Sequence, residues 1–323
     1  MDVIIVNWNA GQQLRECLVA LSGARRDGYM LGRVVVVDNA STDGSISGLN
    51  FPALPLSIIQ NRSNRGFAAA CNQAAAGSDA DYLLFLNPDT KILSDTLAKS
   101  VQFMESPENS RTGIVGVQLL DENGAVRRHC SRFLATRYFI YMMLGLHRLF
   151  PARFPHLMYD EWDHLQSRRI EHVMGAYFFI RHSLFKEVGG FDERFFVYFE
   201  DVDLSLRAAQ AGWYSYYLAE AQCYHACGGS SEQVKARRLF YILQSRILYG
   251  FKNFGIVSAV TLLLATLLIE PVSRLVQAIF RGSLAQIREV FLGYLLLWRA
   301  LPRILGSDYL RKPEMLKLDF GKP

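Results

Sequence analysis

The chain has 323 residues, of which 50% are hydrophobic and 20% are charged, with a formal net charge of +5. These values exclude a disordered chain and predict one large or two ordinary globular domains. Five cysteines at irregular spacing exclude a disulfide scaffold and indicate a reducing compartment. No secretory leader is expected, because Asp2 interrupts the N-terminus and residues 3–7 have the pattern of a buried strand. A cytoplasmic location is therefore predicted.

The positive charge is concentrated near the C-terminus. Residues 1–231 contain 21 Lys and Arg against 24 Asp and Glu, whereas residues 232–323 contain 14 against 6. The same C-terminal region holds a long apolar run without charged residues, 253–269. Nucleic acid is a poor partner for such a region, because nucleic-acid binding favours basic residues without long aliphatic blocks. An anionic lipid surface fits the combination better.

Short apolar runs alternate with helical patterns in the first part of the chain. This alternation predicts an α/β fold with a mainly parallel sheet and helices on both faces. Between residues 121 and 171 the pattern loosens, and we expect an amphipathic helix and a mobile segment at about 132–172. The predicted strands are 3–6, 34–37, 56–59, 82–86 and 173–181, and the predicted helices are 12–21, 66–76 and 204–212.

The C-terminal part predicts amphipathic and hydrophobic helices. Residues 234–251 form a basic amphipathic pattern, and residues 290–298 form a second apolar helix. The run 253–269 is shorter than the ~20 residues that a membrane-spanning helix needs, and it meets Glu270-Pro271. Three arrangements are open: helices packed on the N-terminal α/β part or on a partner subunit, helices in the membrane interface, or a true span. The charge distribution favours the interface.

Polar residues follow three of the predicted strands. They are Asn7-Trp8-Asn9, Asp38-Asn39 and Asn87-Pro88-Asp89. Ordinary turn chemistry accounts for one such ending. Three of them at one edge favour a polar-ligand site, because open α/β sheets bind ligands at the carboxyl ends of their strands.

A helix that begins with small residues follows Asn64-Arg65-Gly66. Small residues let the backbone approach a ligand, and the positive end of a helix together with an arginine suits a diphosphate. The glycine spacing matches neither a P-loop nor a dinucleotide fingerprint, which argues against an ordinary ATPase.

Three carboxylates, Glu200, Asp201 and Asp203, directly follow the aromatic run 195–199. Crowded carboxylates beside apolar surface raise one another's pKa, so one of them can serve as a general base. The alternative is the start of a helix, where acidic residues satisfy free N–H groups and the helix dipole. Both roles are compatible.

Six motifs in this order resemble inverting family 2 glycosyltransferases of the GT-A fold, and most closely the bacterial rhamnosyltransferases among them. The resemblance covers residues 2 to about 231. It implies a catalytic domain at 1–231, with a nucleotide-sugar half at about 1–120 and an acceptor half at about 121–231. It leaves 232–323 as a helical region that associates with a membrane or oligomerises. The six motifs are VNWN at 6–9, VDNASTDGS at 37–45, NRGF at 64–67 with Asn72, LNPDT at 86–90, GGFDE at 189–193 and EDVDL at 200–204.

The resemblance also implies the roles of single residues in donor binding. Asp38 would hold the base or ribose of the nucleotide sugar, and Asn87 stands where the family has the first acid of its Asp-x-Asp motif. Asn87 can still bond ribose hydroxyls, which leaves Asp89 as the carboxylate of this loop that binds a metal. The other residues expected to contact the nucleotide sugar are Asn7, Asn9, Asn64, Arg65, Gly66 and Gly175.

A divalent cation, Mg²⁺ or Mn²⁺, is the implied cofactor. In related GT-A enzymes a histidine beyond the acidic motif completes the metal site, and His225 stands in that place. A competing hypothesis is a zinc site from Cys223, His225 and Cys227, although structural zinc needs a fourth ligand and usually wider spacing. A third possibility is that His225 is only structural.

Asp201 is implied as the general base of an inverting transfer, and Glu200 and Asp203 as supporting residues. Whether Asp201 or Asp203 faces the acceptor stays open at this stage. The expected reaction moves a hexose, L-rhamnose from dTDP-rhamnose, onto a lipid-linked or growing surface polysaccharide at the inner face of a bacterial membrane. The alternatives are a UDP-hexose donor or a non-catalytic sugar-nucleotide-binding subunit. A nucleotidyltransferase is disfavoured, because Gly11 alone does not make its Gly-rich basic loop.

Overall fold

The structure is a computed structural model, and it describes residues 1–226 and 234–306. Within these ranges the chain forms two compact units. The first unit comprises residues 1–133, 158–191 and 201–226, and the second comprises 134–157, 192–200 and 234–306. The predicted domain boundary at residue 231 lies outside the described residues and stays a prediction.

A nine-stranded mixed sheet forms the centre of the first unit, and a two-stranded sheet, β7 with β9, lies beside it. In the large sheet the order is β3-β2-β1-β4-β10-β6-β11-β5, with β8 paired to β11. Strands β3, β2, β1 and β4 are parallel, and β10 is antiparallel to β4 and β6. The strands are β1 (Asp2–Asn7), β2 (Val34–Asp38), β3 (Leu56–Gln60), β4 (Tyr82–Leu86), β5 (Thr90–Ile92), β6 (Thr112–Leu120), β7 (Cys130–Ser131), β8 (Arg168–Ile170), β9 (His172–Val173), β10 (Tyr177–Arg181) and β11 (Tyr214–His225).

The helices divide between the two units. A 3₁₀ turn at Pro107–Asn109 also belongs to the first unit. The first unit contains α1 (Gln12–Ser22), α2 (Phe67–Ala75), α3 (Thr96–Glu105), α6 (His182–Glu187) and α7 (Glu200–Gln210) apart from its first residue; the second contains α4 (Thr136–Met143), α5 (Leu146–Leu149), α8 (Lys235–Asn253), α9 (Ile256–Phe280) and α10 (Leu284–Ile304).

Alternation along the strands produces two apolar layers, one on each face of the large sheet. Successive side chains of a strand point to opposite faces. In β1, Val3 and Ile5 therefore join one layer with α1 and α3, while Ile4 joins the other with α2, α6 and α7. Every residue of β1, β2 and β4 is buried, as expected for parallel strands that helices cover on both sides. The predicted α/β fold is confirmed.

The predicted strand at 173–181 is wrong in one respect. It is interrupted at residues 174–176, which form a turn between β9 and β10. The predicted helix at 204–212 begins four residues earlier, at Glu200. The acidic residues therefore occupy the first turn of α7, where carboxylates suit the helix dipole.

The sequence indicated that the apolar segment near the C-terminus ends at Glu270-Pro271, but the helix that contains this segment does not end there. Instead α9 continues through both residues to Phe280, and a π-helical turn occupies Ala265–Ile269 just before the proline. A wider turn of this kind accommodates the backbone carbonyl that proline leaves without a donor. With 25 residues and a mean hydropathy of 2.0 in its most apolar window, α9 is long and apolar enough to cross a membrane by length and composition alone.

Close packing between the two sheets depends on Gly116 in β6. A Cβ placed on Gly116 would lie 2.5 Å from Cγ1 of Val173 in β9 and 2.6 Å from its Cβ. We therefore expect Gly116→Ala to lower the free energy of unfolding by about 1–3 kcal/mol through overpacking. Urea denaturation of the purified protein measures this loss.

The matched control is the double variant Gly116→Ala/Val173→Ala, which removes the two Cγ atoms of residue 173 next to the new methyl group and keeps the Cβ at 2.6 Å. It should recover part of the stability lost in Gly116→Ala, relative to Val173→Ala alone. Strictly additive effects of the two substitutions would contradict this packing argument.

Candidate active site

Strands β1 and β2 bring Asn7 and Asp38 side by side at their carboxyl ends, where the two residues are partners in the parallel register. The Asn7 Nδ2 donates to Asp38 Oδ1 at 2.7 Å and to Ser45 Oγ at 2.8 Å. The other carboxylate oxygen of Asp38 accepts the Ser41 backbone N–H at 3.1 Å. Both Asn7 and Asp38 are buried, so this edge has a preformed polar floor.

The loops after these strands contain strained backbone. Asn9 has φ 50° and Ala40 has φ 62°, and the Asn9 Oδ1 accepts the Thr42 backbone N–H at 2.7 Å. Tyr198 and Phe199, which precede the acidic cluster, also have positive φ. Of the five non-glycine residues with positive φ in the described ranges, these four are predicted site residues or lie within two positions of one. Strain of this kind persists where surrounding contacts hold it, and it often marks functional sites.

The N-terminus of α2 is fixed beside the end of β2. The Gly66 backbone N–H donates to Asn64 Oδ1 at 2.9 Å, and the Gly66 carbonyl accepts from the Asn39 side chain at 3.0 Å. Gly66 has φ 85°, which L-residues with a side chain rarely adopt. Arg65 is half-buried at the same turn. The free N–H groups of the first turn of α2 are suited to an anion such as a diphosphate.

Asp89 and His225 meet because β5 pairs with β11, with Thr90 opposite His225. The His225 Nε2 lies 3.3 Å from Asp89 Oδ1, and only 7% and 11% of the two side chains are exposed. Thr90 closes the turn by donating its hydroxyl to the Asn87 carbonyl at 2.6 Å. The predicted pair of metal ligands is therefore adjacent.

This donor set fits a cation that is shared with a substrate. One carboxylate and one imidazole are suitable ligands for Mn²⁺, and Mg²⁺ is usually held by one or two carboxylates together with substrate phosphates and water. Within residues 1–226 and 234–306, no group of three His, Cys, Asp or Glu side chains could hold a metal alone. Cys223 is fully buried in the apolar layer, and burial raises the pKa of its thiol, which disfavours a zinc ligand. Cys227 lies outside the described residues.

The turn at 174–176 joins the Asn87 loop to the acidic cluster. The Ala176 carbonyl accepts the Asn87 backbone N–H at 3.0 Å, and the Gly175 N–H donates to Asp201 Oδ2 at 2.9 Å. A Cβ at Gly175 would lie 3.1 Å from that carboxylate oxygen, so glycine permits the close approach. In the structure Gly175 thus contacts Asp201, and its expected contact with the nucleotide sugar stays a prediction.

Asp201 is held by several groups and keeps some access to solvent. Its Oδ1 accepts the Val202 N–H at 2.8 Å, its Oδ2 lies 3.6 Å from His172 Nε2, and its side chain is 18% exposed. Burial alone would raise the pKa of Asp201. The facing His172 imidazole and the N–H groups of Gly175 and Val202 outweigh burial and hold that pKa below its usual value. Asp201 is therefore ionised at neutral pH.

Sequence reasoning missed His172 and Ser205. His172 is buried, with its Nδ1 3.0 Å from Ser205 Oγ, and the Ser205 hydroxyl donates to the Asp201 carbonyl at 2.9 Å. Ser205 could have been found from its position one helical turn after Asp201. No local pattern links His172 to a carboxylate 29 positions later, so its role appears only in the folded chain.

Asp203 differs from Asp201 in its surroundings. Its side chain is 0% exposed and pairs with Arg207 Nε at 2.8 Å, one turn later in α7. The Arg207 guanidinium also donates to the Val188 carbonyl. Asp203 therefore connects α7 to the end of α6, and Asp201 is the carboxylate with access to solvent. Glu200, the first residue of α7, is buried.

A mixed sheet with acidic and amide side chains at one edge, beside a helix N-terminus, is the architecture of GT-A glycosyltransferases, and the solved structures similar to this one are of that class. Residues 2–189 match the family model described as Glycosyl transferase family 2. The chain belongs to glycosyl transferase family 2.

Two curated relatives are rhamnosyltransferases. The N-acetylglucosaminyl-diphospho-decaprenol L-rhamnosyltransferase of Mycobacterium tuberculosis is 28% identical over 239 residues, which cover 70% of this chain and 75% of the relative. Rhamnosyltransferase WbbL of Escherichia coli is 25% identical over 192 residues, which cover 57% of this chain and 69% of the relative. The predicted resemblance to bacterial rhamnosyltransferases is confirmed.

Among solved structures, a mannosyltransferase from Pyrobaculum calidifontis in complex with GDP-Man and Mn²⁺ has a similar fold. It aligns with a TM-score of 0.52 and 21% identity, covering 95% of this chain and 81% of that protein. At this identity the similarity shows a shared fold.

The pairing of His172 with Asp201 predicts how stability depends on pH. Because the folded-state pKa of Asp201 is lowered, its carboxylate contributes stability above the ordinary aspartate pKa of about 3.9, and this contribution is lost as pH falls through the lower folded value. His172→Gln should therefore flatten the loss of stability below about pH 4, measured by urea unfolding at several pH values.

Ser205→Ala is the matched control, because it removes a neighbour of the imidazole and keeps the imidazole itself. It should lower stability at every pH and leave the acid dependence close to that of the unmodified protein. An unchanged pH dependence in His172→Gln would show that the imidazole does not act on Asp201.

Proposed function

We propose that this protein is an inverting, cation-dependent glycosyltransferase that moves L-rhamnose from dTDP-rhamnose to a lipid-linked acceptor. The observation that carries the proposal is the short connection between the Asn87–Asp89 loop and Asp201 through the turn at 174–176. This connection supports the proposal, because it links the loop of Asp89, the proposed ligand of a cation on the donor diphosphate, to an ionised, partly exposed carboxylate. An inverting transfer needs both groups on opposite sides of one anomeric carbon.

In the proposed reaction Asp201 accepts the proton of an acceptor hydroxyl while that oxygen attacks the anomeric carbon. The bond between this carbon and the nucleotide diphosphate breaks on the opposite face, so the configuration is inverted and no covalent enzyme intermediate forms. The diphosphate leaves with the electron pair of the broken bond. The Gly175 and Val202 N–H groups keep Asp201 oriented throughout the step.

Asp89 and His225 would hold the divalent cation, which when bound supplies Lewis-acid stabilisation of the departing diphosphate. The N-terminus of α2 next to Gly66 and the side chain of Arg65 would bind the same diphosphate. Asp38, with Asn7 and Asn9, would bind the base or ribose, and Asn87 the ribose. The family resemblance implies these roles, and the positions of the side chains around one sheet edge support them.

The names of the two rhamnosyltransferase relatives support rhamnose as the sugar, and the name of the mycobacterial relative supports a diphospho-polyprenol acceptor that carries N-acetylglucosamine. We accordingly propose that the protein acts at the cytoplasmic face of a bacterial membrane in surface polysaccharide synthesis, with residues 1–231 as catalytic domain and 232–323 as the membrane-associating or oligomerising region. A UDP-hexose is the alternative donor, because Asp38 would accept uracil as well as thymine.

Replacing the proposed base tests the reaction. Asp201→Asn keeps the shape of the side chain and one acceptor oxygen for its two N–H contacts, and it removes the ability to accept a proton. We expect kcat to fall by about 10²–10⁴-fold with little change in donor affinity. The assay follows transfer from dTDP-rhamnose to a lipid-linked N-acetylglucosamine acceptor, and NMR of the product gives the anomeric configuration.

The control for Asp201→Asn is Asp121→Asn, which changes a carboxylate in the exposed turn after β6. Full transfer activity in Asp201→Asn would refute the assigned base. If the unmodified protein is active only with UDP-hexoses, the donor is a UDP-hexose and not dTDP-rhamnose. If it binds the nucleotide but transfers no sugar, the protein is better described as a non-catalytic sugar-nucleotide-binding subunit.

Cation binding is tested separately at Asp89. The nucleotide dTDP should stabilise the protein against heating in the presence of Mn²⁺, and Asp89→Asn should raise the Mn²⁺ concentration needed for half of this effect by at least about tenfold. Asp27→Asn, an exposed carboxylate paired with Arg25, serves as control. A Mn²⁺ response that is the same in Asp89→Asn and in the control would contradict the assignment of Asp89 as ligand.

A further inference from the structure

Large apolar side chains form the outward face of α9. Phe280 is 87% exposed and Val257 is 78% exposed, and both belong to a row that repeats every three or four residues along the helix. At 1.5 Å per residue this row is about 36 Å long. Its other members are Ile256, Val260, Leu264, Leu268, Ile269, Val272, Val276 and Ile279.

The inward face of α9 has the opposite character. Its buried residues are mostly small or polar and include Ala259, Ala265, Thr266, Glu270 and Ala278. A helix on the surface of a water-soluble protein buries its apolar face and exposes its polar face. The inverted polarity of α9 indicates that the medium outside the helix is less polar than water.

Polar contacts fix the orientation of α9 within the second unit. Arg246 of α8 pairs with Glu270, and Arg274 binds the same carboxylate at 2.7 Å. The Tyr294 hydroxyl of α10 donates to the Thr266 carbonyl at 3.1 Å. Rotating the apolar row inward would break these contacts and leave buried charges unpaired, which costs several kcal/mol.

Basic residues accompany the apolar face. After α9, the exposed apolar side chains of Leu284, Phe291 and Trp298 continue along α10. Residues 256–304 contain only two acidic side chains, Glu270 and Glu289, against five arginines. Four of those arginines are exposed, at positions 281, 288, 299 and 303. This charge is complementary to anionic lipid headgroups.

We propose that the outward face of α9, with the exposed apolar side chains of α10, docks in the interfacial plane of an anionic bilayer without crossing it. Crossing is disfavoured because α9 packs along α8, which carries five cationic residues between Lys235 and Lys252 and cannot enter hydrocarbon. The proposal identifies the surface that contacts the membrane, and it stands whether or not dTDP-rhamnose is the donor.

Vesicle binding of the full chain tests the docking surface. The unmodified protein should co-sediment with vesicles of phosphatidylcholine and phosphatidylglycerol, and less with phosphatidylcholine alone, with a loss of affinity as salt increases. Leu268→Glu/Phe280→Glu should reduce the affinity for anionic vesicles by at least about tenfold, because two apolar side chains lose their burial in lipid. Both positions are exposed, so circular dichroism should show an unchanged thermal transition.

Met30→Glu is the matched control, because Met30 is equally exposed but lies in the first unit. It should bind vesicles like the unmodified protein. Three results would overturn the proposal: no vesicle binding by the unmodified protein, equal binding by the double variant, or a stable dimer in solution that the double variant abolishes. The last result would make the face a contact between copies of this chain.

A labelling experiment separates docking from spanning. Cysteines are introduced at the exposed positions Ser258 and Arg281, near the two ends of α9, and a membrane-impermeant maleimide is added outside sealed vesicles. In-plane docking leaves both introduced cysteines reactive. The unmodified protein is labelled in parallel, so that the labelling of its native cysteines can be subtracted. Protection of one end alone, released by detergent, would show that the helix spans and would overturn the in-plane arrangement.

Discussion

The hydrogen bond from the Gly175 N–H to the Asp201 carboxylate is the contact on which the candidate site depends. It fixes the position of Asp201 from a turn whose next residue, Ala176, is bound to Asn87. The loop at Asn87 and the start of α7 at Asp201 are more than 100 residues apart in the chain, and these two hydrogen bonds hold them at a fixed distance from each other. Catalysis requires such definition, because a displacement of about 1 Å between reacting groups can cost a factor of about 10² in rate.

The three carboxylates of the acidic cluster have separate environments although they lie within four residues. Asp203 is fully buried and neutralised by Arg207, whereas Asp201 is partly exposed and faces His172. A buried ion pair contributes little net stability, but removing one partner is costly, so Asp203 and Arg207 hold the end of α7 in place.

The second unit has its own physical constraint, the buried Arg246 to Glu270 pair with Arg274 beside it. These contacts turn the small and polar face of α9 inward and leave its aliphatic side chains outside. The arrangement makes sense if the outer medium is a lipid interface, which also suits the lipid-linked acceptor proposed for the reaction. One region of the chain would then bring the enzyme to the surface on which its substrate resides.

Sequence patterns alone determined the α/β class, because the valine run of β2 and the leucine-rich run of β4 can only be buried between helices. They also indicated the polar ends of β1, β2 and β4, since parallel strands place their carboxyl ends at one edge. Only the tertiary structure decided that Asp201 rather than Asp203 reaches solvent, that His172 faces it, and that Gly175 supports it. These facts depend on burial and on contacts between residues 26 to 29 positions apart. Local sequence periodicity carries no information about such contacts. The continuation of α9 past Pro271 could not be predicted from the sequence either. It depends on a π-helical turn and on a buried ion pair, which together offset the cost of the proline.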